Sequence, residues 1–187
     1  MIKKINILFA LLLITLNAYG AVVISTYKKP KEIPYEYKLT ERGKVLIVPD
    51  SILFNLNSSE TDLKKYSKTL KYVGDLTYNT NIISIIIEGH ISGDEYKKFS
   101  NGYRKNDILF LYNRETIDNL SYNRSYDVYS AITNGISSKL TNNGIHDLLN
   151  EYKDMEKNRR AEFILIESSN DLYIYTNYIY NLIISNN

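Results

Sequence analysis

Asn81-Ile82-Ile83-Ser84-Ile85-Ile86-Ile87-Glu88-Gly89-His90 is the stretch that decides the fold. Isoleucine fills five of the six positions from Ile82 to Ile87. A β-branched run this short, bounded by turn formers, reads as a strand covered on both faces rather than as a membrane span. It ends abruptly in a carboxylate, a permissive backbone position and an imidazole, and binding sites are commonly built where a strand leaves the core.

Working outward, the segment before this strand has helical period. Leu63, Tyr66, Leu70, Val73 and Leu76 recur at three- and four-residue spacing, Ser58 or Ser59 offers a cap, and Glu60 and Asp62 suit a first turn. Earlier still, Lys44 to Val48 predicts a strand broken by Pro49-Asp50, with a second short apolar piece at Ile52 to Phe54. Together these give a strand-helix-strand unit, with a right-handed crossover if the strands are parallel.

Downstream of His90 the pattern loosens, with one apolar run at Ile108 to Tyr112, and residues 93–119 read as a rim insertion. A second helix is predicted from about Asn119 to Asn134, with Asn119 or Ser121 as cap, Leu120, Val128, Ala131 and Ile132 inward, and Gly135 as stop. Ser137 to Lys157 is polar and ambiguous, and Ile145, Leu148, Leu149 and Tyr152 suit one short helix. Arg159 to Glu167 predicts the last strand, its two arginines on opposite faces, one towards the rim and the other an exposed edge charge. The tail, Asp171 to Ile184, fits helix and strand templates about equally, and Leu172, Tyr175, Ile179 and Leu182 favour an amphipathic helix.

The N-terminus carries the parts of a secretory signal in order: basic Lys3 and Lys4, apolar Ile5 to Leu16, and Ala18-Tyr19-Gly20 as a small-x-small cleavage site. The expected layout is a signal at 1–20, a linker at 21–42, a domain at 43–167 and a C-terminal extension at 168–187. An uncleaved anchor extending through Ala21 to Ile24 is the alternative. The sequence has no cysteine, so neither a lipid-modified cysteine nor a disulfide is available. Of its 23 basic side chains, two lie in the signal, leaving 21 against 21 acidic ones. That balance argues against nucleic acid as a partner. Eighteen tyrosines and no tryptophan fit an AT-rich coding bias better than a binding signal.

Four separated pieces share one further pattern. They are Val48-Pro49-Asp50-Ser51-Ile52-Leu53-Phe54-Asn55-Leu56-Asn57-Ser58, Ile87-Glu88-Gly89-His90, Leu120-Ser121-Tyr122-Asn123-Arg124, and Asn158-Arg159-Arg160-Ala161-Glu162-Phe163. In order and separation they resemble the opening strand, the "V-x-G-H-T-D", the "L-S-x-x-R" and the "N-R-R-V-E-F" of the OmpA-like peptidoglycan-binding domain. This is the module of peptidoglycan-associated lipoproteins and of flagellar stator proteins.

The resemblance implies an α/β fold, a βαβαβ two-layer sandwich, that grips the diamino acid of the peptidoglycan peptide stem without catalysis, cofactor or metal. It implies an exported protein of the periplasm, associated with the cell wall or outer membrane. Arg124 would pair the stem carboxylate with a two-pronged hydrogen bond. Ser92 with Asp94 would face the ammonium, His90 would order the loop, and a helix start at Asn119 to Ser121 would add backbone donors.

The chain departs from the pattern in two places. Ser92 stands where the family has aspartate, which weakens a charged contact by about 1–2 kcal/mol unless Asp94 or Glu95 substitutes. In addition, 30 positions separate His90 from Leu120, longer than the family's connection. These departures set up the rival expectation, a degenerate scaffold that has lost the ligand and meets an envelope protein partner through the 93–119 insertion. With only His90 and His146 and no cysteine, a zinc or catalytic-histidine site is not expected.

Overall fold

A computed structural model describes residues 32–95, 108–133, 138–146, 149 and 151–185. The signal at 1–20, most of the expected linker, and residues 96–107 of the insertion lie outside the described residues. The elements are β1 (Tyr37–Thr40), β2 (Gly43–Leu46), β3 (Ile52–Leu53), α1 (Ser67–Leu76), β4 (Ser84–His90), α2 (Ile108–Thr133), β5 (Leu140–His146), α3 (Met155–Asn158), β6 (Arg160–Ile166) and α4 (Ser169–Ser185).

One mixed sheet in the order β1-β2-β6-β4-β5 organises them, with β3 also pairing β6. β4 lies antiparallel to β6 and parallel to β5, so α2 is the crossover between two parallel neighbours. Within the isoleucine run Ile85, Ile86 and Ile87 are buried, with alternate residues serving opposite faces, but Ile83 is 56% exposed just before the strand begins at Ser84. Ile85 and Ile87 pack with Val73 and Leu76 of α1, Val128 of α2 and Phe163 of β6. Ile86 joins Val45, Ile164, Ile166 and Tyr175 under α4. The α/β sandwich expected from the sequence is therefore formed by the sheet with α1 and α2, and the C-terminal helix covers the other face.

Several sequence expectations are corrected. Tyr37–Thr40, expected in the linker, pairs antiparallel with β2, because Tyr37-Lys38-Leu39-Thr40 can hydrogen-bond as an edge strand while leaving its side chains in water. The first helix starts at Ser67, not Ser58. Before it, the Ser58 hydroxyl accepts Glu60 N–H at 3.0 Å and the Asp62 carboxylate accepts Lys64 N–H at 3.1 Å. These local bonds compete with helix formation.

The polar stretch 140–146, ambiguous in sequence, is a strand. Of the short helix expected around Ile145 to Tyr152, Ile145 belongs to β5, residues 147, 148 and 150 lie outside the described residues, and the next described helix is α3. The periodicity missed β5 because Thr141-Asn142-Asn143-Gly144 has low strand propensity and is held by its partner β4. Neither of the two arginines is the expected exposed edge charge: Arg159 and Arg160 are both buried.

Two glycines set the depth at which α2 sits. Gly89 and Gly144 pair across β4 and β5. A Cβ on Gly89 would lie 1.9 Å from the Ser121 carbonyl oxygen, and one on Gly144 would lie 2.7 Å from Tyr122 N. Glycine is therefore required at both, and the small Ser121 and Ser125 complete the close approach. This contact carries Arg124 over the end of β4.

Candidate functional site

Arg124 projects from α2 onto the β4 exit and is fully buried. Its guanidinium carries five N–H donors, and each is used. Nε donates to the Ser58 carbonyl at 3.0 Å, one Nη1 hydrogen to the His90 carbonyl at 2.8 Å, and one Nη2 hydrogen to the Asn55 carbonyl at 3.0 Å. The remaining two form a fork onto Glu95, Nη2 to Oε1 at 2.6 Å and Nη1 to Oε2 at 2.9 Å. The Phe54 ring lies 5.2 Å from the guanidinium carbon and supports it from one side.

Glu95 in turn receives more than the arginine. Oε1 accepts Asn57 N–H at 2.7 Å, while Oε2 accepts Ser92 N–H at 3.0 Å and the Ser92 hydroxyl at 3.3 Å. Asn57 can aim its N–H inwards because its backbone turns at a φ of 57°, which asparagine tolerates better than most residues. Burial pushes the Glu95 pKa up, but the hydrogen bonds and charge of Arg124, with the two backbone donors, outweigh it and hold the carboxyl below the usual glutamate range. The result is a closed carboxylate receptor whose occupant is the chain's own side chain.

The other expected site residues divide around this pair. Ser92 is in the receptor as a donor to Glu95, not as a bare acceptor. Asp94 lies outside it, partly exposed, 3.6 Å from Arg159 Nη1, and the neighbouring Ser92 hydroxyl leads the effects that lower its pKa. Ser121 is buried against Gly144. Asn119 and Ser121 lie within α2, which begins at Ile108, so no helix start exists there to present free N–H groups. The expected helix-start donors are replaced by Asn57 and Ser92 N–H.

His90 contributes its backbone carbonyl to Arg124 and sends its ring to the opposite face of the sheet. There Nε2 lies 3.3 Å from Glu88 Oε2 and 3.4 Å from Glu162 Oε2. Arg42 ties this second cluster together, bonding Glu88 at 3.1 Å, Glu151 at 2.6 Å and Glu162. Arg160 Nη2 adds contacts to Glu162 at 3.0 Å and Glu151 at 3.3 Å. Burial, with Arg160 and Arg42 nearby, lowers the His90 pKa to about 3. Burial also raises Glu88 despite Arg42, whereas Glu151 is held low against burial by its bond to Arg42. Glu88, His90 and Glu162 have the donor types and spacing of a metal site, but the two guanidiniums already serve as counter-cations to those carboxylates.

Sequence reasoning missed Arg42 entirely, because it stood in the expected linker and only the β1–β2 turn brings it 46 positions to Glu88. Glu95 was legible only as a neighbour of Asp94. No pattern pointed to Asn57, whose contribution is a backbone group.

No family model matches the chain, and no curated protein matches it. Among solved structures it is similar to the periplasmic domain of Helicobacter pylori MotB, at 15% identity over 83% of this chain and 96% of that chain, TM-score 0.48. It is also similar to the C-terminal domain of Helicobacter pylori MotB, at 16% identity over 73% and 97% of the two chains, TM-score 0.44. The OmpA-like domain of FopA1 from Francisella tularensis is a third, at 20% identity over 77% and 97%, TM-score 0.44. Among the described residues, no helix is long and apolar enough to cross a membrane.

Proposed function

We propose that the chain is a non-catalytic, exported domain of OmpA-like type that binds peptidoglycan in the periplasm, taking a stem carboxylate at Arg124. The observation that carries the reading is the receptor itself. A buried guanidinium fork, two backbone N–H groups and a hydroxyl converge on one carboxylate at the exit of the central strand. The four motifs that resemble the peptidoglycan-binding module supply three of its parts: Asn57 and its neighbours, the His90 carbonyl, and Arg124. The His90 imidazole is buried on the far face of the sheet, away from the receptor.

The rival reading, a scaffold that has kept the fold and lost the ligand, is favoured by one observation: all five donors of Arg124 are taken within the chain. On that reading, the insertion at 93–119 meets a protein partner. Its apolar stretch, Ile108 to Tyr112, has side chains outside the described residues.

The deciding measurement is retention of the purified protein on sacculi from its own organism, beside Arg124→Lys checked for folding by circular dichroism. Lysine keeps the charge and loses the fork. Retention that the substitution lowers by about tenfold or more supports wall binding through Arg124. A folded, unmutated protein that is not retained refutes it in favour of the scaffold.

A further inference from the structure

We infer that Glu95 is an exchangeable occupant of the receptor, a built-in competitor that an incoming carboxylate displaces. This rests on the wall-binding reading and adds its regulation: the ligand carboxylate does not add to the site but replaces a side chain already there.

Three observations carry it. First, the receptor is assembled without Glu95. Arg124 is fixed by the carbonyls of Ser58, His90 and Asn55, and these bonds account for every donor that does not point at the glutamate. The other donors, Asn57 N–H, Ser92 N–H and the Ser92 hydroxyl, belong to the loop before α1 and to the end of β4. Second, Glu95 presents the acceptor geometry any free carboxylate would present, with both oxygens used and the fork bidentate. Exchange therefore conserves charge and hydrogen-bond count, and its cost reduces to the local concentration that the tether gives Glu95.

Third, the tether is short and leads outwards. Glu95 follows Ser92 by one turn, Glu95 N–H donating to the Ser92 carbonyl at 3.0 Å, and its neighbour Asp94 is partly exposed at the rim. A cleft of about 260 Å³ is bordered by Phe54 and Asn55, the two residues that support the guanidinium by ring and by carbonyl, so surface space reaches the residues next to the receptor.

The test removes the occupant and offers another. Glu95→Ala is expected to melt below the unmutated protein, and acetate is expected to restore its melting temperature saturably, while chloride at equal ionic strength does not. The unmutated protein, whose tethered occupant competes, is expected to need at least about tenfold more acetate for any response. On sacculi, Glu95→Ala is expected to be retained at least about tenfold more strongly, since a site open a tenth of the time or less in the unmutated protein is then always open.

Acetate no better than chloride overturns the exchangeable receptor. Sacculus retention by Glu95→Ala equal to or weaker than that of the unmutated protein overturns the competition. Acetate rescue with neither protein retained upholds the receptor and overturns the wall-binding reading instead. Should Glu95→Ala fail to fold, Glu95→Gln, a weaker occupant with one acceptor and one NH2 group facing donors, is expected to move both measurements in the same directions, and the same failures overturn the proposal.

Discussion

Replacing Arg124 by methionine isolates what the buried pair does for stability. Five hydrogen bonds disappear, and Glu95 keeps only Asn57 N–H, Ser92 N–H and the Ser92 hydroxyl. Stranding one partner of a buried ion pair costs about 3–5 kcal/mol. For a domain of this size, that is a fall in melting temperature on the order of 10 °C. Adding Glu95→Gln removes the stranded charge and keeps an acceptor for one of the two backbone donors, so the double variant is expected to recover part of the loss.

The pH dependence carries the sign. In the unmutated protein Glu95 lies below its ordinary pKa, so its stabilisation is present above the unfolded value and is lost as pH falls through the folded one. Without Arg124 the burial effect dominates and the pKa rises, so the single variant becomes more stable as pH falls towards about 5. Urea denaturation at about pH 7 and pH 5, with unchanged m-values, measures both effects. A single variant within about 1 kcal/mol of the unmutated protein at neutral pH refutes the reasoning, as does a gap that fails to narrow on acidification.

Gly89→Ala places a methyl group 1.9 Å from the Ser121 carbonyl oxygen, so α2 must lift. We expect a loss of about 3 kcal/mol or more in denaturant, while Gly43→Ala, whose added Cβ meets nothing within 4 Å, acts only through its φ of 111° and loses less. His90, lowered to about 3, stays neutral in the folded state, and its imidazole resonances are expected not to titrate between about pH 8 and pH 5. Because the unfolded chain takes up that proton near its ordinary pKa of about 6.5, folding is expected to weaken as pH falls from there towards the folded value. Arg42→Gln leaves Glu88, Glu151 and Glu162 without their shared cation, and a loss of about 3–5 kcal/mol in urea is expected at neutral pH.

The isoleucine strand, the helix that runs to Leu76 and the strand opened by Arg160 were legible, because burial on one or both faces imposes a period that the residues display, whereas the tail's period fitted helix and strand about equally and only leaned to the helix that forms. β5 was not. Its stability comes from a parallel neighbour 55 positions away, Ile85 opposite Leu140, and from a glycine whose only reason is the nearness of α2. The start of α2 was hidden for a related reason: Asn119 and Ser121 are good caps by residue type, but a capable residue caps only where the helix in fact begins.

In the site, Arg124 could be found by its motif, and its environment could not. Alternation along β4 explains why. Glu88 and His90 are two apart and share a face, while Gly89 between them opens the other face to α2. The triplet Glu88-Gly89-His90 therefore serves two sites at once. Its side chains build the Arg42 cluster, and its glycine and the His90 carbonyl build the carboxylate receptor. The expectation that His90 orders the loop left open which of its groups would meet Arg124, and it is the carbonyl that does. The pleat separates the ring from Arg124, so a change to the His90 ring reaches Arg124 only through the strand backbone that carries the carbonyl. Likewise, Ser92 is not left as a bare hydroxyl, because Glu95 sits one turn on and accepts both its N–H and its O–H.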